Sequence, residues 1–156
     1  MLLYVARNPA FWSRRNDHSH RQWVHCMNDF LEFIVAPPNG VPIRAFLHLP
    51  AEPSRNCIVL THGAGANCDS PLLAVLAGAF CATGLTVLRC DLPFRQLRPH
   101  GAPQRGSAEH DQDGIRAAIA SIRRQTSGRV YLGGHSNEGR QASMLSVAEP
   151  GLVDRR

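Results

Sequence analysis

No lysine occurs in the 156-residue chain, so each of its 17 basic residues is an arginine. A GC-rich coding sequence accounts for that bias, and it carries no mechanistic weight. Long apolar runs are missing as well. No stretch approaches the roughly 18 apolar residues of a membrane span, and the start MLLYVARNPAFWSRR lacks an apolar core followed by a small-residue cleavage site. The sequence therefore predicts neither membrane insertion nor secretion. Cys26, Cys57, Cys68, Cys81 and Cys90 form an odd set without a C-x-x-C pair. Thiols in or beside apolar strand-like runs behave as small hydrophobes, so these cysteines point to a reducing, cytoplasmic setting.

The body of the chain also lacks an excess of one charge. The formal net charge is +5, but residues 1 to 26 set Arg7, Arg14, Arg15 and Arg21 against Asp17, and the last three residues set Arg155 and Arg156 against Asp154. What remains between them is close to neutral, which argues against a nucleic-acid surface. A hydrophobic content of 44% with 19% charged residues fits one soluble domain with room for a core.

Residues 1 to 26 mix arginine, histidine and aromatics without helical or strand periodicity, so they read as an irregular extension preceding a domain at 27–156. Met27 is a candidate start of the patterned chain. His18, His20, His25 and Cys26 cluster in the extension, but solvated histidines of a tail explain them, and no metal or other cofactor is assigned.

From there the pattern is regular. Phe30 to Ala36 and Ile43 to Leu49 read as strands joined by the turn Pro37-Pro38-Asn39-Gly40, an antiparallel hairpin. Cys57 to Leu60 is a continuous apolar run, as expected of a strand covered on both faces. Ser70-Pro71 opens a helix carrying Leu72, Leu73, Leu76, Ala79 and Phe80 until Gly84. Leu85 to Leu88 is a second buried strand, ending at Asp91-Leu92-Pro93. Phe94 to Gly106 reads as a polar surface loop, with Arg95 and Arg98 solvated. Ser107 is placed to cap a helix with Glu109, Asp111 and Asp113 near its start and an apolar stripe of Ile115, Ala118, Ile119 and Ile122, closed by Gly128. Alternating strands and helices predict a three-layer α/β/α sandwich around a mostly parallel sheet.

The stretch RVYLGGHSNEGR, from Arg129 to Arg140, reads as strand, sharp turn and helix, with Ser136 at the tip. A serine held clear of the backbone there is what nucleophilic attack on a carbonyl requires. The loop His62 to Ala66 ends another strand, and in such a sheet ligands bind beyond the carboxyl ends of the strands. Its small residues expose N–H groups that can point at an oxyanion. Gly63, Gly65, Gly133 and Gly134 also admit a plainer reading, as residues that permit tight turns and close packing.

Four segments carry a resemblance: CIVLTHGAGA, DSPLL, LRCDLPFR and GGHSNEGRQASM. Through them, residues 28 to 153 resemble the N-terminal portion of an α/β-hydrolase, in particular the small dienelactone-hydrolase-like branch that includes relatives of a subunit of the non-specific lethal histone-acetyltransferase complex. The T-H-G-A-G and G-H-S motifs are specific together rather than singly. The resemblance implies Ser136 as nucleophile, the backbone N–H groups of Ala64 and Asn137 as oxyanion hole, and a small-molecule ester or related acyl substrate. His62 and His135 then structure their loops.

Two departures accompany it. The family pattern G-x-S-x-G wants glycine two residues after the serine, where this chain has Glu138 and then Gly139. A distorted turn, and a carboxylate opposing negative charge on the substrate, are the expected consequences. Triad partners follow the serine as acid then histidine, yet no histidine follows Ser136, and Glu149 and Asp154 are the only later acids besides Glu138. His100 and His110 are the remaining upstream alternatives as base. The abrupt ending suggests loss of later strands, which would leave an open sheet edge beside the serine strand and self-association through it. The resulting expectation is a serine hydrolase impaired as this chain stands; the alternative is a non-catalytic interaction module on the same fold.

Overall fold

The computed structural model describes residues 4–5 and 29–154. The elements are β1 (Tyr4–Val5), β2 (Leu31–Val35), β3 (Ile43–His48), β4 (Cys57–Thr61), α1 (Pro71–Ala82), β5 (Thr86–Cys90), α2 (Pro93–Leu97), α3 (Ala108–Arg123), β6 (Val130–Gly134) and α4 (Asn137–Ala148). The strands form one sheet in the order β1-β2-β3-β5-β4-β6. β4 runs parallel to both β5 and β6, whereas β1, β2 and β3 pair antiparallel. The half of the sheet bearing the serine strand is thus the parallel half. The antiparallel half comes from the hairpin expected around Pro37 to Gly40, with Val35 opposite Ile43. Tyr4 and Val5, in the stretch read as irregular, pair with Phe33 and Glu32; the candidate metal cluster His18, His20, His25 and Cys26 lies outside the described residues.

Successive residues of a strand face opposite sides of a sheet, and β4 shows why both sides had to be covered. Cys57 and Val59 join one core with Val35, Leu88, Leu145 of α4 and the α3 stripe Ile115, Ala118, Ile119 and Ile122. Ile58 and Leu60 join a second core with Leu73, Ala77 and Cys81 of α1 and Val87 of β5. Helices α3 and α4 therefore cover one face and α1 the other, giving the three layers. Each fully buried isoleucine or leucine contributes about 1.5–3 kcal/mol by leaving water.

Helix starts differ from the expectation in how they are made. Ser70 and Ser107 both precede their helices, but neither side chain bonds a backbone N–H. The α1 start rests on Pro71, whose fixed φ suits the first helical position and whose missing N–H leaves one donor fewer to satisfy. At α3, the Ser107 hydroxyl donates to Asp111 (3.1 Å), and Asp111 also accepts the Phe94 N–H (3.1 Å). That carboxyl is buried, and burial pushes its pKa up. Asp111 is spent on the preceding segment as well as on its own helix.

The largest correction falls between Asp91 and Gly106. β5 continues through Arg89 and Cys90, and Pro93–Leu97 forms the short helix α2, so Phe94 and Arg95 are buried and not part of a solvated loop. Proline at the first turn and an apolar residue after it were the available signals. The three arginines of the segment concealed them.

Candidate active site

Ser136 lies between the last residue of β6 and the first turn of α4, with φ 59° and ψ −128°. It is the one non-glycine residue with positive φ among the described residues. Such a conformation costs about 1–3 kcal/mol and persists only where the surroundings impose it. They do so here through a backbone contact. A Cβ on Gly134 would lie 2.8 Å from Gly139 Cα and 2.7 Å from Thr61 Oγ1, and one on Gly139 would lie 2.6 Å from the Gly134 carbonyl oxygen. Strand end and helix start touch through two glycines, one on each side of the serine.

The glycine that admits this approach is Gly139, three residues after Ser136, so Glu138 at the preceding position leaves the turn sharp. The distortion expected from Glu138 is absent: strand, strained serine and helix follow one another directly. The side chains of Asn137 and Glu138 lie outside the described residues, and with them the expected repulsion by the Glu138 carboxylate.

The loop after β4 comes up against this turn. The His135 N–H reaches the Thr61 carbonyl (3.3 Å), and a Cβ on Gly63 would lie 2.8 Å from His135 Nδ1 and 3.4 Å from Ser136 Cβ. Gly63 to Ala66 form a turn closed by the Ala66 N–H on the Gly63 carbonyl (2.9 Å). His62 is buried beneath it. Its Nε2 accepts the Leu92 N–H (3.3 Å), so the ring proton resides on Nδ1, which donates to the Gly63 carbonyl (2.8 Å). Burial lowers the His62 pKa, outweighing that hydrogen bond and nearby Asp91, and a neutral imidazole is what this pair of bonds requires. His62 thus holds a loop. With the Gly63 carbonyl turned inward, the trans peptide turns the Ala64 N–H the opposite way. That N–H has no acceptor among the described residues, nor does the helix geometry give one to Asn137, the first residue of α4.

A second support is Arg95, 5% exposed, which donates to the Ala64 carbonyl (2.5 Å), the Gly101 carbonyl (3.2 Å) and the Arg98 carbonyl (3.1 Å). Asp91, at the end of β5, is also internal: it accepts the Cys68 N–H (2.7 Å) and Gln96 Nε2 (2.8 Å). Sequence reasoning missed both as loop braces.

The Ser136 hydroxyl has no hydrogen bond to any described residue. Glu149 ends α4 in an ion pair with Arg116 (2.7 Å), and Asp154 accepts the Val130 N–H (2.8 Å) and pairs with Arg123 (3.3 Å). Neither late acid meets the serine. His100 is exposed on the loop, and His110 lines a cleft of about 420 Å³ with Pro37, Asn39 and Leu97, to which the serine turn contributes no residue. Cys57 and Cys90 are no substitute nucleophiles: burial pushes them to about 11 and about 12, far from a thiolate at neutral pH. Among the described residues no group of three or more histidine, cysteine or acidic side chains is arranged to hold a metal, and no helix is long and apolar enough to cross a membrane.

Comparison with known proteins agrees with this layout. No match was found among curated protein sequences. Among solved structures, a dienelactone hydrolase from Anabaena variabilis superposes with a TM-score of 0.66 at 22% identity, covering 81% of this chain and 60% of its own. An alpha-beta serine hydrolase homologue from Coxiella burnetii gives 0.63 at 16%, covering 78% and 58%, and Est1E from Butyrivibrio proteoclasticus gives 0.63 at 15%, covering 78% and 47%. The chain thus spans about half to three fifths of these neighbours, and at such identities the likeness is one of fold. The model of the alpha/beta hydrolase domain matches residues 54–153, which take in both the His62 loop and the Ser136 turn. With a family match over most of its length and a three-layer fold bringing those two loops together, the chain belongs to the alpha/beta hydrolase family.

Proposed function

We propose that the protein is a serine hydrolase acting on a small-molecule ester or related acyl substrate in the cytoplasm, with Ser136 as nucleophile. The observation that carries this reading is the strained backbone of Ser136, which only a turn built to present that side chain would retain. Attack of Oγ on the substrate carbonyl forms the acyl-serine bond and expels the alcohol; water then releases the acid. The Ala64 and Asn137 N–H groups receive the oxyanion, and one such donor is worth about 3–4 kcal/mol of transition-state stabilisation. The names of two neighbours, a dienelactone hydrolase and a serine hydrolase homologue, agree with carbonyl chemistry.

Deprotonation is the weak step. With no base on the Ser136 hydroxyl among the described residues, the chain as it stands is an impaired enzyme. The same observation favours a second reading, a non-catalytic interaction module that keeps the fold. A fluorophosphonate probe separates the two. Labelling that disappears in Ser136→Ala is the expected result for a hydrolase; labelling that is absent, or unchanged by the substitution, removes catalytic competence and leaves the interaction module.

A further inference from the structure

The connection between β2 and β3 carries the single Asn-Gly pair of the sequence, Asn39-Gly40. Both residues are exposed, and neither the Asn39 carboxamide nor the Gly40 N–H has a hydrogen-bond partner among the described residues. An asparagine carboxamide is an electrophile, and the backbone nitrogen of the next residue is the nucleophile held nearest to it. Their reaction needs a side chain free to turn back and a backbone N–H free to lose its proton. It also needs an unhindered approach, which glycine, without a Cβ, provides. Two other described asparagines meet none of these conditions. Asn56 Oδ1 accepts the Arg129 N–H (3.0 Å), and the N–H of the buried Cys57 after it donates to the Arg129 carbonyl (2.9 Å). Asn67 Oδ1 accepts the Asp69 N–H (2.9 Å), and the N–H of the buried Cys68 after it donates to Asp91 (2.7 Å).

We infer that Asn39 is a self-modification site, at which the chain converts its own asparagine to isoaspartate and aspartate. Hydroxide takes the Gly40 N–H proton, and the nitrogen attacks Asn39 Cγ. The new C–N bond closes a succinimide while the bond from Cγ to the amide nitrogen breaks, and ammonia leaves after taking a proton from water. Water then opens the ring. Opening at the Asn39 backbone carbonyl gives isoaspartate, with the chain running through Cβ and Cγ; opening at Cγ gives aspartate. Either product carries a carboxylate where a neutral amide stood. The ladder between β2 and β3 starts at the buried pair Val35 and Ile43, beyond the exposed residues 38–40, so the turn absorbs the change and the core does not. Asn39 and Asp113 line the same cleft, so the modification adds a second carboxylate to its wall and disfavours anions there. None of this depends on the chemistry proposed for Ser136.

The test is to incubate the folded full chain at neutral and mildly alkaline pH and to follow the peptide containing Asn39 by mass spectrometry and by an isoaspartyl methyl-acceptor assay. That peptide should gain the mass of an amide-to-acid exchange and become a methyl acceptor, faster at the higher pH because the attacking nitrogen must be deprotonated. The peptides containing Asn56 and Asn67 should stay unchanged over the same period. In Asn39→Gln the modification should be lost, and in Gly40→Ala it should slow several-fold, since a Cβ then hinders the attack. An Asn39 peptide that gains mass only in urea overturns the inference, because the folded turn would then protect the site. A gain that is equal at Asn56 or Asn67, or unchanged in Gly40→Ala, overturns it as well. A Cβ on Gly40 would lie 3.2 Å from Pro37 Cβ; should Gly40→Ala not fold, the comparison of the wild type, folded and in urea, with Asn39→Gln still decides.

Discussion

Serine has no intrinsic preference for the left-handed region, so the φ of 59° at Ser136 has to be imposed by its neighbours. The residues that impose it are unremarkable in the sequence: a glycine on either side, a threonine at the end of β4, and a loop whose carbonyls are held from below by His62 and Arg95. His62 gives this arrangement a pH dependence. Its folded pKa lies below the ordinary imidazole value of about 6.5, chiefly because it is desolvated. The unfolded chain then binds the proton more readily, so stability is fully present above that ordinary value and is lost as the pH falls through the lower folded one. Urea midpoints measured from about pH 8 to about pH 5 should fall on the acid side, and the fall should be shallower in His62→Gln. Parallel curves for the two proteins would mean that His62 is not a contributor.

At the scale of elements, strand β6 and helix α4 can meet closely because neither presents a side chain at the point of contact. A methyl group on Gly139 would have to stand 2.6 Å from the Gly134 carbonyl oxygen, a backbone atom that cannot rotate away. Gly139→Ala should therefore destabilise the fold by about 1–3 kcal/mol, as overpacking does, and should lower the urea midpoint without changing the slope of the transition. A midpoint equal to that of the wild type would show that the contact relaxes freely. Helix α2 teaches the same lesson from the other direction. Its five residues are too few to show a period, and its arginine appears solvated until the loop that encloses it is in place.

At the scale of the whole molecule, the serine strand is one of the two edges of the sheet among the described residues. Residues 129 and 135 turn their backbone groups toward β4, so Leu132, at the alternate parity, turns its own outward. Asp154 occupies the outward groups of Val130, through its N–H on the Val130 carbonyl (2.9 Å) and its carboxylate on the Val130 N–H. At Leu132 nothing among the described residues does so. An unpaired edge of this kind is a template for another strand, and we propose that the chain self-associates through it. Sedimentation velocity should show a dimer that grows with protein concentration; a single monomer boundary at every concentration would refute the idea.

Much of this was determined by the sequence alone. The period-two and continuous apolar runs placed the strands, the i, i+3, i+4 stripe of Ile115, Ile119 and Ile122 placed the long helix, and their alternation dictated three layers, because local burial demands are written in local spacing. Ser136 was nameable for the same reason, at the tip of a turn beside a strand end, whereas Ala64 and Asn137 were named through the resemblance to the α/β-hydrolase family. Only the tertiary structure decided that Gly139 serves the turn although Glu138 intervenes, that His62 and Arg95 brace the Ala64 loop, and that Glu149 and Asp154 are engaged with Arg116, Arg123 and Val130 and so do not meet the serine. Those facts join residues dozens of positions apart. Charge and burial of a side chain are properties of what folds over it, and no local pattern records them.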